Sequence, residues 1–257
     1  MCLLPVRART SVTMVIVAVI LVAVASCSLA RPADEKNNGC NVKQDTFTSC
    51  FMDAGNHLFK MLSKGDKKMG LPVLDPLEVK KMKVFDNGDR MHLKLMDATH
   101  TGLGASVINK AQADPEHFKF MLNMTIPKYN IKGTYDMNAK VAMLPVMGTG
   151  DADITLEDLT VIWDVKGKPV TKKGTQFMEI TDFKVDIVPK VMKMKLDNLF
   201  NGNQELGTTM NTFLNENWED VYKQLKPSIE RSFSQLMSTL GSKMLEKIPY
   251  NKMFPGM

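Results

Sequence analysis

Beyond its first thirty residues the chain has no long hydrophobic run, two cysteines, four histidines and no strong surplus of either charge. Each shortage excludes something. A membrane-crossing helix needs roughly 20 apolar residues, so no integral membrane association is expected of the later chain. Once Arg7 and Arg9 are set aside for reasons given below, 31 basic residues face 28 acidic ones, a balance that offers no electrostatic case for nucleic acid. His57, His92, His100 and His117 form no His-x-x-x-His or HExxH arrangement, and with so few cysteines no structural zinc or other metal site is expected. His57 falls in a helical pattern and His92 in a strand, where ordinary packing explains each. The serines offer no G-x-S-x-G elbow. "GTGDAD" has glycine and acids without a following Gly-Lys-Ser/Thr and reads as a turn. Asp151, Asp153, Glu157 and Asp158 read as a solvated acidic loop rather than a calcium site. No cofactor is implied. An enzyme acting on lipid would need a nucleophile and a base converging in one place, and none is visible, so the expectation is not an enzyme.

What is present begins at the N-terminus. Two arginines, twelve apolar residues from Met14 to Ala25 and small residues ending at Ser28 and Ala30 give the three regions of a signal peptide. The expected division is a signal peptide over 1–30 and a single domain over 31–257, in a secreted, extracellular protein. "VASC", ending at Cys27, also resembles a bacterial lipoprotein box, but the eukaryote-style features downstream argue against that reading. Cleavage leaves Cys40 and Cys50 in an oxidising compartment, most simply as one disulfide closing a short loop, the alternative being two buried thiols. Asn123-Met124-Thr125 is a glycosylation sequon on the polar side of an alternating run.

Apolar spacing predicts an amphipathic helix over 46–62, capped by Asp45 or Thr46 and ended by Gly65. The period then changes to two. Strands are expected in "EVKKMKVF", "RMHLKLMDATHTGL", "HFKFMLNMTIPKYNIKGTYDMNAKVAMLP", "DADITLEDLTVIWDVKG" and "QFMEITDFKVDIVP", separated by "DNGD", "ADPE", "MGTGD" and "KGKPVTKKG". Phe118, Phe120, Leu122, Met124 and Ile126 share one face, opposite Lys119, Asn123 and Thr125. Alternation continues past Pro127 through Tyr129, Ile131, Tyr135, Met137 and Met143, which predicts a bent strand and not a hairpin at "KYN". From Gln204, after a turn at "NGN", helical register lasts about forty residues with a kink expected near Lys226, before Pro227. Such a helix would extend roughly 60 Å, more than a small core can match unless the sheet is laid along it. The predicted fold class is α+β: a short N-terminal helix and a long C-terminal helix wrapped by a highly curved antiparallel sheet.

The segments "PVLDPLEVKKMKV", "IPKYNIKGTYDMNAKVAMLPVMGTGDADI", "NLFNGNQELGTTMNTFLNENW", "LKPSIERSF" and "IPYNKMFP", in this order behind a signal peptide and a paired-cysteine segment, closely resemble the takeout family of secreted insect proteins. That family is related to haemolymph juvenile-hormone-binding proteins. The likeness spans about Cys40 to Pro255 and lies with the one-disulfide takeout branch rather than the two-disulfide hormone binders. It implies a tubular lipid-binding domain with an elongated apolar tunnel holding a terpenoid hormone, fatty acid or similar lipid, and roles in circadian, feeding or chemosensory physiology. Nineteen of the 21 methionines lie beyond the signal segment, and unbranched thioethers suit a cavity for ligands of variable shape. The expected lining is Met96, Phe120, Leu122, Met124, Tyr129, Ile131, Tyr135, Met137, Met143, Met210, Phe213 and Met237, with Tyr129, Tyr135 and Thr134 as polar groups at a tunnel end. The alternative function is an interaction or signalling protein with a vestigial cavity, acting through its outer face on an unidentified receptor.

Overall fold

The computed structural model describes residues 40–65, 73–86, 91–141 and 143–257; the segment expected to be a signal peptide lies outside these. Helix α1, Phe47–Leu62, is the N-terminal helix the spacing predicts, ended by Gly65 at φ 68°. Its buried edge carries Phe59 and Leu62. Cys40 and Cys50 form the disulfide that ties the preceding segment to its first turns.

Among the described residues seven strands follow: β1 Leu77–Asp86, β2 His92–Thr101, β3 Val107–Asp114, β4 Lys119–Val141, β5 Leu144–Lys172, β6 Thr175–Val188 and β7 Val191–Leu196. All the pairings are antiparallel. The sheet is organised around β4 and β5, which pair from Lys119↔Lys166 to Val141↔Leu144. Each is too long for one further neighbour and takes two. β3 pairs with the start of β4 and β2 with its later part; β7 pairs with the first half of β5 and β6 with the second. As expected, β4 runs through Pro127 without a turn.

Two stretches read as turns are strand. "MGTGD" lies inside β5, and "KGKPVTKKG" continues it to Lys172, leaving the reversal at Lys173, φ 50°, and Gly174, φ 76°. The glycines of "GTG" answer to a different demand. A Cβ on Gly148 would stand 2.8 Å from the Tyr135 hydroxyl and 2.9 Å from the Asn198 carbonyl oxygen, so the segment leaving β7 crosses the strand where side chains are absent. Asp153, Glu157 and Asp158 are accordingly not on a solvated loop. They sit on β5 and pair with Lys132, Lys193 and Lys190 at 3.2, 3.2 and 3.5 Å. β3 and β7 were not anticipated, although "VMKMKL" alternates plainly.

The C-terminal helical register is divided elsewhere than expected. It forms α2, Gln204–Glu216, and α3, Trp218–Leu245, broken at Asn217, whose φ −112° and ψ 26° are not helical and whose Nδ2 donates to the Phe213 carbonyl at 2.9 Å. Pro227 lies inside α3. The helix is pinned on both sides of it: the Tyr222 hydroxyl donates to Ile187 O at 2.6 Å, Lys226 meets Asp186 at 2.6 Å, and Glu230 accepts from Ile187 N at 2.9 Å. Tertiary bonds hold the turn that proline deprives of one backbone bond. At "NGN", a short 3-10 turn at Phe200–Gly202 carries Asn201 at φ 55° and Gly202 at φ 86°, and the Asn203 side chain caps α2 by accepting from Leu206 N at 3.0 Å.

The sheet does not close on itself. Its path runs β1-β2-β4-β5-β6, leaving β1 and β6 as its two ends, and α3 spans the gap. Towards β6, Ser234 accepts from Val185 N at 3.1 Å, next to the Tyr222 and Glu230 bonds; towards β1, Ser232 donates to Lys83 O at 2.7 Å. Along β7, Asn211 accepts from Leu196 N and donates to Leu196 O, and Asn215 does the same at Met194, all at 2.7–2.9 Å. Side chains four apart on a helix match residues two apart on a strand, so α2 satisfies the strand edge as another strand would. The apolar interior thus lies between the sheet's concave face and helices that seal its edges.

Candidate functional site

Three backbone irregularities decide which residues face that interior. On β4 the inward residues are even-numbered through Met124 and Ile126, then odd through Tyr129, Ile131, Tyr135 and Met137, the change falling at Pro127. Opposite it, β5 changes from Leu156 to Leu159 across Asp158, φ 49°. Because both strands change together, their register continues undisturbed from Ile126↔Leu159 to Lys128↔Glu157. β2 changes at Asp97, φ 45°, where its register with β4 shifts between Met96 and Thr99. Gly133 lies opposite, since a Cβ there would stand 2.7 Å from Ala98 Cα. A one-residue bulge moves every later side chain to the other face.

The result is a cavity of about 130 Å³ under α3. β1 contributes Met82 and Val84, β2 Leu93 and Leu95, β5 Ile154 to Trp163 in alternation, β6 Val185 and Ile187, and β7 Met192, Met194 and Leu196. The helical side is a stripe at four-residue spacing, Val221, Leu225, Ile229, Phe233 and Met237, with Tyr222 beside it and Leu214 from α2. Among the described residues the lining has no acidic, basic, histidine, serine or cysteine side chain. Six methionines, Met82, Met124, Met137, Met192, Met194 and Met237, make the wall adaptable.

Of the twelve residues expected in the lining, Met124, Tyr129, Ile131, Tyr135, Met137 and Met237 meet here. The other six lie elsewhere. Met96 precedes the β2 bulge and faces away from the cavity side taken by Leu95. Phe120 belongs to an aromatic cluster at the end of the sheet, stacked on Phe254 at 5.4 Å and tilted against Phe51 at 5.9 Å. Met210 belongs to the same core and Leu122 and Phe213 pack against it, all three outside the cavity lining. Met143 stands at the β4–β5 turn, 85% exposed. Lining residues of β1, β2 and β7 went unremarked although their alternation was readable; Tyr222 carried no signal in sequence.

The tyrosine hydroxyls of the cavity are occupied. Tyr135 donates to Asp197 O at 2.7 Å and Tyr222 to Ile187 O at 2.6 Å, and burial pushes the Tyr135 phenol up to about 12. Thr134, expected at a tunnel end, points away and donates to Met96 O at 3.3 Å. The Tyr129 hydroxyl meets His100 Nδ1 at 2.8 Å, and His100 is fully buried with Nε2 unpartnered among the described residues. Burial pushes this imidazole down to about 4 and raises the Tyr129 phenol, so both groups stay neutral at physiological pH. A more open groove between β7 and α2 is polar, but its Asn211 and Asn215 amides are engaged by the strand edge. Asn123 is half-buried on the outer face, paired with Ile162 of β5. Among the described residues no helix is long and apolar enough to cross a membrane.

Fold and cavity together define an α+β protein built as a curved sheet closed by helices around an apolar interior. The chain belongs to the haemolymph juvenile hormone binding protein family, whose model matches residues 16–255. Its fold is similar to that in the crystal structure of Epiphyas postvittana Takeout 1, with a TM-score of 0.72 at 24% identity over 85% of this chain and 99% of that one. Among curated proteins it is 24% identical to the circadian clock-controlled protein daywake of Drosophila yakuba, over 84% of this chain and 85% of that protein. It is 22% identical to a putative beta-carotene-binding protein of Schistocerca gregaria, over 77% and 80%.

Proposed function

We propose that the protein is a secreted carrier of small hydrophobic ligands, held in the cavity beneath α3. The observation that carries this reading is the composition of the wall, apolar and aromatic throughout, with every nearby hydroxyl turned to a protein partner. Such a wall can bury a chain or ring system and has nothing with which to transform it. Burying about 400 Å² of a terpenoid or acyl chain at roughly 25 cal/mol/Å² offers about 10 kcal/mol as an upper limit. Association costs of at least about 4 kcal/mol leave about 6 kcal/mol, an affinity of tens of micromolar, and tighter binding needs a larger buried area. The 130 Å³ of open space is below the roughly 300–1,000 Å³ of small-molecule sites, so a terpenoid-sized ligand is admitted by methionines changing rotamer. Membership of a hormone-binding family and likeness to a putative carotenoid binder support an extended, mostly hydrocarbon ligand, and the daywake relatives support a role under circadian control. The signal peptide and a glycan on Asn123 complete the reading as an extracellular protein.

The small volume also favours a second reading, in which the cavity is vestigial and a receptor binds the outer face. Displacement of a fluorescent fatty acid, together with native mass spectrometry of the secreted protein, separates the two. A carrier retains a co-purifying lipid or binds the probe with one-to-one stoichiometry; neither lipid nor probe binding overturns the carrier reading.

A further inference from the structure

The tip of the β4–β5 hairpin is apolar and faces water. Met143 is 85% exposed, Leu144 42% and Met147 43%. Its strand pairing is also reduced to the two strands of the hairpin. The β2 pairing with β4 stops at Asn138 and the bridge from Leu199 reaches only Gly148, so among the described residues no third strand pairs with 139–141 or 144–147. Residues 141–150 carry no charge.

The turn chemistry shows that fold stability did not select this sequence. Met143 has φ 70°, a left-handed conformation that glycine or asparagine adopts readily and a long side chain resists. A methionine in that backbone, with its side chain in water, is disfavoured twice, and at 85% exposure it buries little in return. An outlier of this kind is a reason to look for an external partner. Three exposed apolar side chains make a small face, whereas a stable protein interface buries about 1,200 Å² or more. A lipid surface requires only uncharged, apolar side chains that reach past the headgroups. The tip is also joined to the cavity. Met137 lines the cavity on the same strand, and Val221 and Leu225 line it on the turn of α3 whose Gln224 donates to Lys140 O at 2.9 Å.

We propose that Met143, Leu144 and Met147 form a docking tip that seats the protein on a phospholipid surface, from which it loads or to which it releases its ligand. The loading half rests on the carrier reading; the docking half does not.

The test is flotation of the full secreted protein with phosphatidylcholine vesicles, run alongside fluorescent fatty-acid binding in vesicle-free solution. Wild type should float with the vesicles, and Met143→Asp should lower the bound fraction about tenfold. Leu206→Ser, altering a 50% exposed apolar residue on α2, should leave flotation unchanged. Met143→Gly separates docking from structure: glycine suits φ 70°, so thermal stability should hold or rise while flotation falls. Failure of wild type to float, or flotation of Met143→Gly at the wild-type level, overturns docking. So does a wild-type dimer in light scattering that Met143→Asp makes monomeric without any vesicle binding. Flotation without probe binding leaves docking standing and defeats the carrier reading; probe binding without flotation does the reverse.

Discussion

Leu156 and Leu62 offer one substitution in two environments. Leu156, on β5, is 8% exposed and lines the cavity; Leu62, at the end of α1, is 2% exposed and packs in the same core outside the cavity lining. Leucine-to-alanine replacement in a core costs about 2.7–5 kcal/mol, the spread reflecting how many contacts are lost and how much new void remains. Leu62 is almost fully buried away from the cavity, so Leu62→Ala should fall near the top, at about 4–5 kcal/mol. One side of Leu156 already meets empty space and has no dispersion contacts there to lose, which puts Leu156→Ala near about 2–3 kcal/mol. Urea denaturation of lipid-stripped protein measures both, with an unchanged m-value required for the comparison. Saturating ligand should then restore the ordinary cost at Leu156 by filling the space beside it, and leave Leu62 unaffected. Equal costs in the stripped protein, unmoved by ligand, would refute the reasoning: the interior would be packed solid and the vestigial reading would take precedence.

Asn215→Ala leaves Met194 N and Met194 O without their side-chain partners and should destabilise by about 2–3 kcal/mol. Asn215→Asp, which keeps only the acceptor, should fall between; a loss no larger than that of exposed Thr212→Ala would show that the β7 edge is indifferent to α2. His100 binds its proton at about 4 in the folded protein against 6.5 ordinarily, so the unfolded chain takes up the proton first as pH falls. Its contribution is full above pH 6.5 and declines towards pH 4 by about 3 kcal/mol in total. His100→Gln should flatten the stability–pH curve in that window, and a slope equal to wild type contradicts the buried neutral imidazole. Glycosidase treatment of protein secreted from insect cells should lower its apparent mass, and Asn123→Gln should abolish that shift; identical mobility before and after treatment rejects the glycan.

Alternation and helical spacing by themselves determined that a one-sided antiparallel sheet is followed by a long amphipathic helix, and the "NGN" punctuation placed the junction between them. Periodicity is a local property of the backbone, so it survives being read from sequence. The resemblance to takeout proteins added the tunnel, which periodicity alone does not supply. Which residues line it was decided only in three dimensions. Pro127, Asp158 and Asp97 each move the apolar face by one residue, so Met124 and Tyr129 meet in the cavity while Met96 turns away. A bulge changes parity for everything beyond it and has a weak sequence signature. Likewise, Pro227 predicted a break that Tyr222, Lys226 and Glu230 override through bonds to β6, and Asn217 broke the helix where spacing showed none. The glycines of "GTG" read as a turn because glycine signals both chain reversal and close backbone approach; the crossing of residues 197–199 over β5 settles which. Each of these depends on partners far away in the chain, and that is information the local sequence does not hold.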